Sequence, residues 1–170
     1  MGSNPAGRAI HTGSVPDTWV TDSSGDLGEA LVPREETRVL QKFSPAAYSL
    51  LRIVTGFLFA CHGAQKLFGV LGGTVEIHDP EGLAAGLIEF VGGSLVAIGL
   101  FTPIAAFIAS GEMAVAYFKA HAPHGFWPIQ NRGELAALFC FAFLYFACRG
   151  DGQWSVGSLV RRLSGRRRAA

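Results

Sequence analysis

Residues 46–67 read AAYSLLRIVTGFLFACHGAQKL. As a helix this run is long enough to cross a bilayer, because roughly 20 apolar residues span the hydrocarbon layer. It nevertheless carries Arg52, His62, Gln65 and Lys66. A charge at the bilayer centre costs about 2.5–3.5 kcal/mol on insertion scales, so each ionisable residue needs a partner, a wet cavity or a route back to the headgroups. Three more apolar stretches, at residues 83–101, 104–120 and 135–148, complete the pattern, and two of them hold Glu89, Glu112 and Lys119. The chain reads as all-α: a four-helix transmembrane bundle with a polar interior, a polar N-terminal tail and a short amphipathic C-terminal segment.

Composition agrees. Of 170 residues, 49% are hydrophobic and 16% charged, against about a quarter charged in an ordinary soluble domain. The 22 glycines suit membrane helices, which approach closely through small residues. Cys61, Cys140 and Cys148 form no C-x-x-C pair, which argues against a thioredoxin-like motif, a covalent haem site or a zinc knuckle. They read as small buried apolar residues.

The formal net charge is only +1, but its distribution matters more. Arg34, Arg38 and Lys42 precede the first span, and Arg149, Arg161, Arg162 and Arg166 to Arg168 follow the last. Between spans 1 and 2, residues 68–82 hold Glu76, Asp79 and Glu81 with no Lys or Arg. The positive-inside rule then predicts a multi-pass protein of the cell (inner) membrane with both termini cytoplasmic. The terminal arginines are expected beside anionic lipid rather than on nucleic acid.

The chain divides into residues 1–44, 45–150 and 151–170. The first segment is a polar tail with no signal-peptide pattern, so span 1 is expected to act as the insertion signal. A short interfacial helix is predicted over residues 33–43. Ser44-Pro45 and Thr102-Pro103 read as a capping residue plus a first-turn proline opening spans 1 and 3. In the last segment, residues 154–163 are expected to lie on the membrane as a helix with Trp154, Val156, Leu159, Val160 and Leu163 facing it.

The candidate site residues are Arg52, His62, Gln65, Lys66, Glu89, Glu112, Lys119 and His121. His62 and Lys66 lie one helical turn apart toward the outer end of span 1, and Glu89 sits a few turns down span 2, within reach of Lys66. Two readings stay open. Lys66–Glu89 and Arg52–Glu112 are ion pairs that fix helix order, with Arg52 alternatively a shallow anchor that snorkels. Or the polar residues line an outward-opening cavity for a quinone, a proton or a small polar solute. His62 and His121 have the residue type for bis-His haem, but two histidines in a bundle are not specific, so haem is the weaker option. No metal set is evident.

The run Leu51-Arg52-Ile53-Val54-Thr55-Gly56, followed by His62-Gly63-Ala64-Gln65-Lys66-Leu67-Phe68-Gly69, resembles the first span of the DoxX family. Glu89 with Gly92-Gly93, Leu95 and Gly99-Leu100 is similar to its second span. Glu112-Met113, and His121 followed by Gly125-Phe126 and Asn131, are similar to its second half. The resemblance covers about residues 47–161 and implies a four-helix membrane fold associated with terminal oxidases, thiosulfate:quinone oxidoreduction and membrane redox complexes. A fold does not carry its function with it. The chain shows no flavin, nicotinamide or iron–sulfur motif, so the expectation is an accessory subunit of an oxidoreductase complex, not catalytic alone. Its partners would be membrane lipids and other membrane subunits, with a homo-oligomer open. A structural or assembly protein and a small-solute or proton transporter are the alternatives.

Overall fold

A computed structural model describes residues 34–168, whose regular elements are all helical, with no strand among them. Helix α1 runs Arg34–Phe68 and α2 spans Pro80–Ile98. Helix α3 spans Thr102–Ala116 and continues through a π-turn, Tyr117–His121, and a 3₁₀ turn, Ala122–His124. A single turn, α4 (Pro128–Asn131), precedes α5 (Glu134–Arg149), and α6 covers Val156–Arg168. The tail over residues 1–33 lies outside the described residues.

Two segments, Val39–Phe68 and Pro80–Ile98, are long and apolar enough to cross a membrane. Helices α3 and α5 are apolar but shorter, at 15 and 16 residues. Large apolar side chains cover the outside of all four: Phe57 on α1, Val91 on α2, Phe107 on α3 and Phe141 on α5 are all exposed. A water-soluble surface scatters such residues, whereas a contiguous apolar exterior marks contact with another apolar phase.

Two start signals differ from expectation. Ser44-Pro45 does not open a helix, because Pro45 lies inside α1. The preceding Arg, Glu, Leu, Gln and Lys residues are strong helix formers, and one turn on the Ser49 hydroxyl donates back to the Pro45 carbonyl at 2.9 Å. Thr102 does not cap α3 with its own hydroxyl. The residue before the helix, Phe101, is left-handed (φ 53°), and the Thr102 N–H is taken by the Asp151 carboxylate at 3.2 Å. At the start of α2 a cap is formed that the apolar pattern alone did not register: Asp79 accepts from the Gly82 N–H at 3.0 Å, with Pro80 in the first turn.

Helices α1 and α2 meet along a seam of glycines. A Cβ on Gly56 would lie 2.7 Å from the Gly93 carbonyl oxygen, and one on Gly63 would lie 2.2 Å from the Phe90 nitrogen and 2.7 Å from the Gly86 oxygen. The spacing of seven from Gly56 to Gly63 and from Gly86 to Gly93 keeps one stripe of each helix facing the other. The antiparallel register so fixed sets residue 56 beside 93 and residue 52 beside 97. On its other side α1 packs on α5 through Phe59 against Phe139 and Phe143, with ring centroids 5.4 and 4.6 Å apart. Helices α3 and α5 close the bundle around Ala106, Ala109, Phe143 and Phe146.

The α2–α3 turn is tight. Gly99 takes a left-handed conformation (φ 72°), and Leu100 N–H returns to the Leu95 carbonyl at 3.0 Å, a Schellman closure of α2.

Candidate functional site

Two polar groups lie at different levels of the bundle. At the end where α2 turns into α3, Arg52 is fully buried. Its guanidinium donates to the carbonyls of Val96, Ala97 (2.9 Å) and Trp154. It therefore neither snorkels nor pairs with Glu112. The glycine-seam register sets Arg52 against the C-terminus of α2, where free carbonyls and the helix dipole favour a cation. Glu112 lies ten residues into α3, about 15 Å farther along the bundle.

Around Arg52 the chain after α5 is stitched to the bundle. The Tyr48 hydroxyl donates to the Gly150 carbonyl, and Arg149 stands 5.0 Å over the Tyr48 ring. Asp151, buried, joins the start of α3 through Thr102 to Arg161 of α6 at 2.6 Å. Burial pushes the Asp151 carboxyl up, but hydrogen bonds from Arg161 and Thr102 outweigh it and hold it below its ordinary range. The Gly157 N–H donates to the Gly99 carbonyl at 3.0 Å, and Asp151 fills the space a Cβ there would need. Trp154, Leu159, Val160 and Leu163 remain exposed on this docked segment. This end forms an architectural lock.

Nearer the other end, a second group gathers residues from three helices. Lys66 Nζ lies 2.8 Å from Glu89 Oε1, with side-chain exposures of 28% and 3%. Glu112 on α3 is within Coulombic range of both Glu89 and Lys66, and His62 within that of Glu89. The His62 ring meets Phe139 of α5 edge-on at 6.1 Å. Glu89 Oε2 and Glu112 Oε2 are buried and accept no hydrogen bond. Counting Lys66 against Glu89 and Glu112 leaves one excess carboxylate, unbalanced unless His62 or a proton supplies charge.

The backbone is locally unusual here. Glu89 lies in a π-turn, Ile88–Gly92, inside α2. Such insertions are rare and recur at functional sites. The wider turn lies between Gly86 and Gly93, both of which face α1.

The remaining sequence candidates stand apart from this cluster. Gln65 donates to the Leu71 carbonyl at 3.1 Å and packs on Gly73, closing the loop after α1. Lys119 pairs with Glu81 on the surface, with side chains 57% and 73% exposed, where a pair contributes little. His121 Nδ1 lies 3.1 Å from the Asn131 carbonyl. Asn131 is itself a buried organiser that sequence reading did not rank. It donates to the Gly125 carbonyl at 2.8 Å and accepts from the Gly133 N–H at 2.8 Å, holding the loop between α3 and α5. Asp151 is a second such residue. Its position in Arg149-Gly150-Asp151-Gly152, after an apolar run, was the available signal.

A groove of about 580 Å³ runs along the outside of α2 and α3. It is lined by Leu87, Ile88, Val91 and Leu95 on one wall and Ile104 and Ile108 on the other, with none of the ionisable residues on its surface. It opens toward the apolar exterior and so differs from the polar, outward-opening cavity expected from the sequence.

The DoxX family model matches residues 47–122, which carry Arg52 and all four members of the Lys66–Glu89 cluster. A Haemophilus influenzae protein described as uncharacterized is 47% identical over 120 residues, covering 66% of this chain and 90% of that protein. The chain belongs to the DoxX family. No solved structure matches it. In this DoxX protein the family match ends before α5. Phe139 and Phe143 of α5, which close the core over Phe59 and His62, therefore lie outside the matched stretch. Family membership and the apolar exterior together place the protein with a membrane.

Proposed function

We propose that this DoxX protein is an accessory integral-membrane subunit of a quinone-linked redox complex. In this reading α1, α2, α3 and α5 each span the membrane and both termini are cytoplasmic. Four spans return the chain to the side it left, and Lys and Arg flank the first and last of them. The observation that carries the functional reading is the cluster of Lys66, His62 and Glu112, half-buried, around the buried Glu89, set inside otherwise apolar helices with two carboxylate oxygens unmatched. Burying such groups is costly, and intramembrane ionisable residues tend to mark pathways for ions, protons or substrates.

The chemistry of the cluster suits a quinone ring. Lys66 and His62 are donors for a carbonyl oxygen, and the free oxygens of Glu89 and Glu112 are acceptors for a hydroxyl. The apolar exterior would seat against neighbouring subunits that carry the electron-transfer groups. Residues 154–163 and the arginines beyond them would rest on anionic lipid at the cytoplasmic surface.

The test is purification from native membranes, with co-purifying proteins identified and extracted quinone measured. A redox subunit and quinone in stoichiometric yield, both reduced by Lys66→Met, would support the proposal. A chain that carries neither would refute it. The closed Lys66–Glu89 pair, at 2.8 Å, favours a second reading as pure scaffold. That reading predicts variants of lower stability whose complex keeps full activity.

A further inference from the structure

We propose that Glu112 is a proton-binding site reached from the lipid phase along the α2–α3 groove. It rests on the bundle lying in a membrane and does not require the redox assignment.

Helical spacing places Glu112 on the groove's own row. On α3 the groove is lined by Ile104, Ala105 and Ile108, and Glu112 follows Ile108 by four positions, on the same face. Glu112 is half-buried while its Oε2 is fully buried without a partner, as expected for a carboxyl at the inner edge of that row. Ten residues from the start of α3 is about 15 Å, near the middle of a hydrocarbon layer of about 30 Å. Phospholipid headgroups do not reach that depth, whereas a proton carried on an apolar acid or hydroxyl does.

The surroundings explain why a proton is what this site takes. From α1, Lys66 and His62 face the cluster, and from α2, Glu89 does. Helix α5 contributes the Phe139 ring against His62 and the Cys140 carbonyl and thiol beside Ser110. Lys66 is committed to Glu89 at 2.8 Å. Glu89 is itself almost fully buried, with its second oxygen unpartnered, so it offers Glu112 no compensating cation. An ionised Glu112 would sit as an unpaired charge in an apolar wall, which is prohibitively costly. Binding a proton removes that charge.

Dicyclohexylcarbodiimide tests this directly, because it partitions into lipid and reacts with carboxylic acids in their protonated form. The O–H adds across one C=N bond, oxygen to carbon and proton to nitrogen, and the adduct rearranges to a stable N-acylurea without a leaving group or electron transfer. The full chain in phospholipid vesicles should be modified at Glu112, located by peptide mass spectrometry, and more slowly as pH is raised. Glu112→Gln should abolish that adduct. Ile108→Trp, which fills the groove but keeps the carboxyl, should slow labelling severalfold while the thermal transition is retained. No adduct at Glu112 from acid to alkaline pH would overturn the proton site. Equal labelling by a water-soluble carbodiimide, or an unchanged rate in Ile108→Trp, would overturn the lipid route. Because neither quinone nor partner is present, this assay and the co-purification test fail independently.

Discussion

Removing Lys66 should damage the bundle more than removing Glu89, and the two changes together should cost less than their sum. At 2.8 Å the direct attraction is about 6 kcal/mol with an effective dielectric of about 20. Much of this is offset by the desolvation of both ions, so the net value of a buried pair is small. Breaking one partner nevertheless costs about 3–5 kcal/mol, because it strands the other. The structure makes the two single changes unequal. Glu89→Gln leaves Lys66 within range of Glu112, which can take over as its counter-ion. Lys66→Met strands the buried Glu89 carboxylate, with His62 the remaining cationic group within its range. Glu89→Gln should therefore fall at the low end of that range and Lys66→Met at the high end. The double variant should recover about 2 kcal/mol relative to additivity. Reversible unfolding of the detergent-solubilised protein, followed by circular dichroism for all four members of the cycle, measures this. A coupling within about 0.5 kcal/mol of zero, the range found for independent sites, would refute the pairing. Equal single effects would refute the part assigned to Glu112.

Gly63→Ala should destabilise the α1–α2 contact by about 1–3 kcal/mol, as overpacking does. The new Cβ would stand 2.2 Å from a backbone nitrogen that cannot rotate away, whereas Gly111→Ala, which meets nothing within 4 Å, should be neutral or stabilising by the same unfolding assay. For Asp151, whose folded-state carboxyl lies below its ordinary value of 3.8, the sign is that of a depressed acid. Its stabilisation is complete above that value and lost as pH falls through the lower folded one. Asp151→Asn should remove that acid-side loss, so the difference in Tm between wild type and variant should shrink on acidification; a constant difference would argue against ionic anchoring. For topology, in a cysteine-free background, Glu76→Cys should react with an impermeant maleimide on whole cells and Arg166→Cys only after lysis, the reverse pattern refuting the orientation.

The helical composition and the punctuation between helices were legible in the sequence because they depend on local chemistry. Runs of apolar residues cannot satisfy their backbone in lipid except as helices, and Gly99, Gly133 and Gly150 mark ends that no tertiary contact needs to specify. Lys66 beside Glu89 was also within reach, since consecutive antiparallel helices leave few partners at a given depth. The fate of Arg52 was not. A lone arginine near a span end reads as a snorkelling anchor until the Gly56–Gly93 contact fixes the register that sets it under the Val96 and Ala97 carbonyls. The use of Asp151 to begin α3 was likewise invisible, because the two residues are 49 positions apart and nothing local links them. The sequence by itself determined that charges had to be buried and roughly how deep. Only the tertiary structure decided which of them meet, because glycine-to-backbone approach between helices, a sub-ångström property, sets the phase at which each side chain enters the core.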